Sequence, residues 1–234
     1  MLPVAILAGG LATRLRPVTE TIPKALVEIN GEPFAAHQLR LLAANGITRV
    51  VMCVGYRGEM IEEYAGNGRR FGLEIAYSPD GPELRGTAGA IAQARHLLGE
   101  KFFVLYGDSY LPCDYRAVGH AFEAGGKLAL MTVFDNGDRW DASNVIFDGE
   151  RILAYSKKNR TPDMRYIDYG LGAFRASAFD EIPAAGAHDL ADLYAQLLGR
   201  HQLAGYEVHE RFYENGSFAG IQELSEYLAH KVNP

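Results

Sequence analysis

Short apolar runs alternate with helical patterns along the first half of this chain. The runs are continuous in Val, Ile, Leu and Phe, which is typical of parallel strands buried on both faces. Strand, helix and strand in units of this size predict right-handed crossovers and a doubly wound sheet. The predicted strands are 3–8, 49–55, 73–78 and 101–108, and the predicted helices are 35–46, 59–66 and 87–99.

The pattern changes after Asp108, where antiparallel signals appear. Asp148-Gly149 between two apolar runs is a strong hairpin signal and predicts a β-hairpin over 144–158. We therefore expect an α/β fold: a single Rossmann-like three-layer domain with a mostly parallel mixed sheet. The other predicted elements are a helix at 114–126, a strand at 128–134, a strand with a short helix at 166–179, and helices at 190–199 and 221–231.

Composition restricts the class of protein and partner. The 234 residues, 48% of them hydrophobic, suit one domain over 1–234. The net charge of −6 argues against nucleic acid or an anionic membrane surface as a partner. Two cysteines, Cys53 and Cys113, do not predict a disulfide framework. Because neither a signal-peptide pattern nor a run of about 18 apolar residues occurs, we expect a cytoplasmic protein, as a monomer or small homo-oligomer.

A glycine loop follows the first predicted strand, at the edge where ligands of open α/β sheets bind. Gly9 and Gly10 permit a close backbone approach to phosphate, and Arg14 and Lys24 supply positive charge. The Rossmann and Walker phosphate loops are both excluded, because the third glycine of one and the Gly-Lys-Ser/Thr of the other are missing. The residues alone leave open a phosphate-binding loop or a turn with solvated basic side chains.

The stretch LAGGLATRLRPVTETIPKAL at 7–26 resembles the signature of the sugar-1-phosphate nucleotidyltransferases, LAGGxGTRLxPxTxxxPK. The chain is similar to the short, single-domain members, such as the N-acetylmuramate-1-phosphate uridylyltransferases and heptose-1-phosphate guanylyltransferases. It departs from the signature at Ala12, where the family has glycine. The resemblance implies catalytic roles for Arg14 and Lys24. It implies nucleotide contacts for Leu7, Ala8, Gly9, Gly10 and Thr13.

The resemblance also implies a reaction and a cofactor. A sugar-1-phosphate attacks an NTP to give an NDP-sugar and pyrophosphate, for cell-envelope or glycoconjugate precursors. Mg²⁺ is the implied metal, and hard oxygen ligands suit it. Asp108 matches the family's metal-binding and catalytic Asp, and could otherwise be a turn cap. Glu214 stands where the second metal-binding Asp is expected, in a pattern like WxDIGTPE. It could otherwise be an exposed turn residue before the last helix, with Ser217 as the N-cap of that helix.

Two further stretches resemble the family's substrate-recognition segments. YSPDGPELRGTAGAI at 77–91 is similar to PLGTAGAI and implies nucleotide contacts by Asp80, Gly86, Thr87 and Gly89. A carboxylate of Asp80 or Glu83 suits the adjacent N–H donors of guanine and favours GTP. The resemblance to uridylyl- and guanylyltransferases implies GTP or UTP, although a plain Gly/Pro-rich loop remains open. The residues matched to sugar-phosphate recognition, in stretches that resemble FxEKP and NAG, are Lys158, Asp168 and Gly170.

The family comparison divides the domain into a nucleotide-binding half, about 1–112, and a sugar-binding half, about 113–234. It also leaves an alternative open. Because of Ala12 and Glu214, the chain could be a catalytically silent regulatory homologue that only binds a nucleotide or NDP-sugar.

Overall fold

The computed structural model describes residues 1–10, 13–81 and 83–232, so that Ala12 and the side chain of Thr13 lie outside the described part. The strands are β1 (Val4–Ala8), β2 (Glu28–Ile29), β3 (Glu32–Pro33), β4 (Arg49–Val54), β5 (Glu74–Pro79), β6 (Lys101–Tyr106), β7 (Ser109–Tyr110), β8 (Ala129–Asp135), β9 (Val145–Phe147), β10 (Ile152–Tyr155), β11 (Tyr166–Arg175), β12 (Leu203–Val208) and β13 (Tyr213–Glu214). The helices are α1 (Phe34–Ala44), α2 (Gly58–Ala65), α3 (Gly86–Leu98), α4 (Tyr115–Gly125), α5 (Leu190–Gly199) and α6 (Phe218–Val232).

One mixed sheet forms the centre of the molecule. Its path is β10-β9-β11-β6-β1-β4-β5, with β8 on the other edge of β11 and β12 beyond β8. The pairs β1–β4, β1–β6, β4–β5 and β8–β12 are parallel, whereas β11 runs antiparallel to β6, β8 and β9. All the strands of this sheet except β10 and β11 therefore point the same way, which confirms the mostly parallel mixed sheet.

Helices pack against both faces of the sheet, through side chains that alternate between the two faces along each strand. On β1, Val4 and Ile6 pack in one core cluster with α1, α2 and α4. Ala5 packs in a second cluster with α3 and α5. Because neighbouring residues of a strand face opposite sides of the sheet, the continuous apolar run of β1 serves both clusters. The three-layer α/β domain is thus confirmed.

Most predicted elements are confirmed, with boundary differences of a few residues. The hairpin is β9–β10, and Gly149 in its turn has a φ of +96°. The last helix begins at Phe218 rather than 221, because the Ser217 hydroxyl accepts the Gly220 N–H at 3.0 Å and caps it. Cys53 and Cys113 are buried free thiols, as the absence of a disulfide pattern predicts.

The carboxyl ends of β1, β4, β5 and β6 meet at one edge of the sheet. The residues that directly follow them are Gly9, Gly55, Asp80 and Gly107. A two-stranded ribbon lies beyond this edge, where Glu214 of β13 pairs with Ser109 of β7. The fold therefore brings residues 9, 80, 108 and 214 to one region. The proposed division at 112/113 remains a prediction, and β11 joins the two halves by pairing with β6.

Candidate functional site

A cavity of about 260 Å³ opens at the carboxyl edge of the sheet. Nine of the residues singled out from the sequence line it: Leu7, Ala8, Gly9, Gly10, Lys24, Asp80, Gly86, Thr87 and Asp108. The sequence reasoning missed Cys53, Leu84 and Tyr106, which also line it. Leu84 is an apolar side chain that is 50% exposed at the cavity.

Asp80 presses against the glycine loop. A Cβ on Gly9 would lie 2.8 Å from Asp80 Oδ2, and one on Gly55 would lie 3.0 Å from the same oxygen. The absence of a Cβ at Gly9 therefore leaves room for the Asp80 carboxylate. Asp80 is 6% exposed, and burial raises the pKa of its carboxyl, against the opposing charge of Arg85. Its carboxyl group provides a polar wall in a mostly apolar cavity.

Lys24, Asp108 and Glu214 converge beside the cavity. Lys24 Nζ lies 2.9 Å from Asp108 Oδ2, in an ion pair that is only partly exposed. A Cβ on Gly216 would lie 3.1 Å from Glu214 Oε2 and 3.4 Å from Lys24 Nζ, so that this carboxylate and this ammonium both approach the same Cα. Three residues separated by up to 190 positions in the chain thus form one charged group.

The electrostatics of Glu214 reflect these neighbours. Burial raises the pKa of its carboxyl, and the charges of Asp108 and Asp141 raise that pKa further. Arg14, which is exposed, and Lys24 oppose this shift. Arg14 is therefore within electrostatic reach of the same group.

The two carboxylates of Asp108 and Glu214 suit a magnesium ion better than a metal that needs a full protein cage. Among the described residues, no cluster of three or more His, Cys, Asp or Glu side chains could hold a metal. Mg²⁺ is usually held by one or two carboxylates together with phosphates and water. A cation would also relieve the repulsion between Asp108 and Glu214 that raises the pKa of Glu214.

The amino end of α3 forms hydrogen bonds with the segment around His188 and Asp189. The His188 carbonyl accepts the Ala88 N–H at 2.8 Å, and the Thr87 hydroxyl donates to Asp189 at 3.2 Å. Gly86 has a φ of +67°, and a Cβ there would lie 2.5 Å from His188 O. Gly89 does not line the cavity, since it faces Arg85 and the 186–188 segment. Close packing against neighbouring residues therefore accounts for the glycines of this stretch without any contact to a nucleotide.

The lysine that reaches the cavity wall is Lys157, one residue before the lysine matched to the family motif. Lys157 Nζ lies 3.4 Å from the Tyr106 hydroxyl, which it donates to, and 5.1 Å from the centre of the Tyr106 ring. Burial raises the pKa of Asp168, and the charge of Lys157 opposes that rise. Lys158 is exposed and has neither a hydrogen bond nor an ion pair within the described residues.

Asp168 and Gly170 lie near Tyr106 but do not line the cavity. Asp168 Oδ1 accepts the Gly170 N–H at 3.1 Å, and Asp168 Oδ2 is buried without a hydrogen-bond partner in the described part of the chain. Burial raises the pKa of this carboxyl. A Cβ on Gly170 would lie 3.4 Å from the Tyr106 ring. Asp168 is therefore turned inward, while Lys157 is exposed.

Comparisons with known proteins agree with this geometry. Residues 4–227 match the nucleotidyl transferase family. The chain is 30% identical over 225 residues to the N-acetylmuramate alpha-1-phosphate uridylyltransferase of Neisseria meningitidis, covering 93% of this chain and 94% of that protein. It is 43% identical over 211 residues to the catalytic subunit beta of the Danio rerio mannose-1-phosphate guanylyltransferase, covering 87% of this chain but only 58% of that protein.

The fold comparison is consistent with these relatives. The crystal structure of a Bacillus anthracis protein, described as a candidate glucose-1-phosphate thymidylyltransferase, superposes with a TM-score of 0.86 at 22% identity, and covers 100% of this chain and 97% of that one. The chain belongs to the nucleotidyl transferase family, whose members similar to it are sugar-1-phosphate nucleotidyltransferases. Among the described helices, none is both long enough and apolar enough to cross a membrane.

Proposed function

We propose that this chain transfers a nucleotidyl group from GTP or UTP to a sugar-1-phosphate. The observation that carries the proposal is the convergence of Lys24, Asp108 and Glu214 beside a cavity at the glycine-loop edge of the sheet. A phosphate oxygen of the sugar-1-phosphate attacks the α-phosphorus of the NTP. The bond from that phosphorus to the bridging oxygen breaks, and pyrophosphate leaves with the electron pair.

The basic and acidic residues have different roles in the proposed reaction. Lys24 and Arg14 stabilise the negative charge that develops on the triphosphate in the transition state. Asp108 and Glu214 would hold Mg²⁺, which when bound neutralises phosphate oxygens and orients them for displacement. The backbone of 7–10 lies against the same cavity and supports close approach of the nucleotide.

Base recognition is assigned to Asp80 and Leu84. The buried carboxyl of Asp80 can accept the N1–H and N2–H of guanine or the N3–H of uracil. Leu84 offers an exposed apolar surface for the face of the base. The relatives named above are a uridylyltransferase and a guanylyltransferase, which agrees with this pair of bases.

A matrix of four NTPs and dTTP against several sugar-1-phosphates, with Mg²⁺ and a pyrophosphate assay, tests the proposal. Pyrophosphate release with GTP or UTP is expected, and Asp108→Asn should reduce it by about 100-fold or more. Circular dichroism of the variant checks that the fold is retained. No release from any pair, together with calorimetric binding of a nucleotide, would instead support a silent regulatory binder.

A further inference from the structure

A buried carboxamide, that of Gln38, forms hydrogen bonds with the turn that carries Asp108. Gln38 of α1 is 2% exposed. Its Nε2 donates to the carbonyl oxygen of Tyr106 at 3.2 Å and to that of Ser109 at 2.8 Å. These two carbonyls flank Gly107 and Asp108. One side chain therefore fixes both ends of the turn, since buried carbonyl groups need a donor.

A second buried carboxamide, Asn215, joins this turn to the other charged residues. Its backbone N–H donates to the Asp108 carbonyl at 2.9 Å, and its Nδ2 donates to the Lys24 carbonyl at 3.0 Å. Asn215 is fully buried and directly follows Glu214. One residue thus links the backbones that carry Lys24, Asp108 and Glu214.

Packing alone does not account for an amide at position 215. The family pattern WxDIGTPE has isoleucine after the carboxylate, where this chain has Asn215. Asn215 Oδ1 is buried and accepts no hydrogen bond in the described part of the protein. An unsatisfied buried acceptor costs about 1–3 kcal/mol. An apolar side chain would avoid that cost, but it would lose the Nδ2 donor to the Lys24 carbonyl.

We propose that Gln38 and Asn215 are positioning residues that set the spacing of Lys24, Asp108 and Glu214. The proposal rests on the proposed function, because these three groups are its catalytic set. Neither carboxamide needs to touch a substrate. Both act on main-chain carbonyls, and through them on the side chains that face the phosphates. A displacement of about 1 Å in such a group can reduce a rate by about 100-fold.

Kinetics of Asn215→Leu and Gln38→Leu test the proposal, because leucine has no hydrogen-bond donor. Turnover is expected to fall by about 10- to 100-fold, with KM for NTP and sugar-1-phosphate nearly unchanged. Thr132→Val is the matched control. Its buried hydroxyl donates to the Leu171 carbonyl within the sheet, away from the charged group. The control should lower the melting temperature without lowering kcat.

A labelling experiment tests the same positions without turnover. In the wild type, Lys24 is 17% exposed and paired with Asp108, so amine acetylation should be slow relative to the exposed Lys231. In Asn215→Leu the ratio of Lys24 to Lys231 labelling, read by mass spectrometry, should rise several-fold. If Asn215→Leu does not fold, Asn215→Ala removes the donor without adding bulk or charge.

The two hypotheses fail in different ways. A wild type without pyrophosphate release contradicts the proposed function, while the labelling ratio still tests the positioning role. Folded Leu variants with wild-type kcat and an unchanged Lys24 labelling ratio would overturn the positioning role even in an active enzyme.

Discussion

At the scale of single residues, Lys24 is the charge most firmly tied to the candidate site. It pairs with Asp108, approaches Glu214 and lines the cavity. Lys24→Met should therefore lower kcat by about 100-fold or more, because in the proposed reaction the Lys24 ammonium stabilises the developing charge on the triphosphate. Steady-state pyrophosphate release measures the change.

Lys101→Met is the control for Lys24→Met. Lys101 also forms an ion pair, with Glu123, but on the surface and away from the cavity. The Lys101→Met variant should retain wild-type kcat. Equal losses in the two variants would contradict a specific role for Lys24.

The two neighbouring lysines give a second test at this scale. Motif alignment assigns the sugar phosphate to Lys158, whereas Lys157 is the lysine that contacts Tyr106. We expect Lys157→Ala to raise KM for the sugar-1-phosphate by about tenfold, the loss of one charge-assisted contact. Lys158→Ala should change it much less. The opposite ranking would show that the motif register, and not the contact with Tyr106, identifies the functional lysine.

Asp168 predicts a pH dependence of stability. Burial raises the pKa of its carboxyl in the folded state, so the unfolded state binds fewer protons between the two pKa values and stability falls as pH rises through them. Asp168→Asn removes this effect. At neutral pH the variant should melt a few degrees above the wild type. The difference should shrink as pH falls below the unfolded-state pKa of about 4, and a constant difference would contradict the assignment.

At the scale of elements, the close approach of β1 to the end of β6 depends on Gly107. A Cβ on Gly107 would lie 2.5 Å from Leu7 O and 3.0 Å from the Ala8 Cα, which are backbone atoms that cannot rotate away. Gly107→Ala should destabilise the protein by about 1–3 kcal/mol, the usual range for overpacking. Chemical denaturation measures this loss.

Gly199→Ala is the control at the same scale. Gly199 lies in α5 with open space around its Cα. It should be neutral or slightly stabilising. A Gly107→Ala variant as stable as Gly199→Ala would contradict the close approach of the two strands.

At the scale of the whole molecule, the continuous sheet predicts one cooperative unfolding transition. Strand β11 of the proposed sugar-binding half pairs with β6 of the nucleotide-binding half. A bound nucleotide should therefore shift the entire transition. At 100 times Kd the stabilisation is about 2.7 kcal/mol, or roughly 5–10 °C for a chain of this size.

Differential scanning calorimetry with GTP, UTP, ATP and CTP measures this shift. GTP or UTP should raise the melting temperature most, and Asp80→Asn should reduce the differences among bases. A first transition that no nucleotide moves would contradict the single cooperative unit.

The sequence by itself determined the order of the larger elements apart from β12, the α/β class and the loop that faces the cavity. Apolar periodicity and glycine spacing are local signals, and they predicted β1, α1, α3 and the β9–β10 hairpin to within a few residues. The motif near Gly9 also pointed to the cavity that the structure contains.

Only the tertiary structure decided which side chains meet. Gln38 carries no sequence signal, because its role depends on carbonyls 68 and 71 positions away. Asn215 could have been noticed as a polar departure from the motif, but its partner Lys24 lies 191 residues earlier. Lys157 and Lys158 are equivalent as letters, and the direction of the chain after β10 turns one toward Tyr106. Such contacts follow from how distant segments pack, which local patterns do not encode.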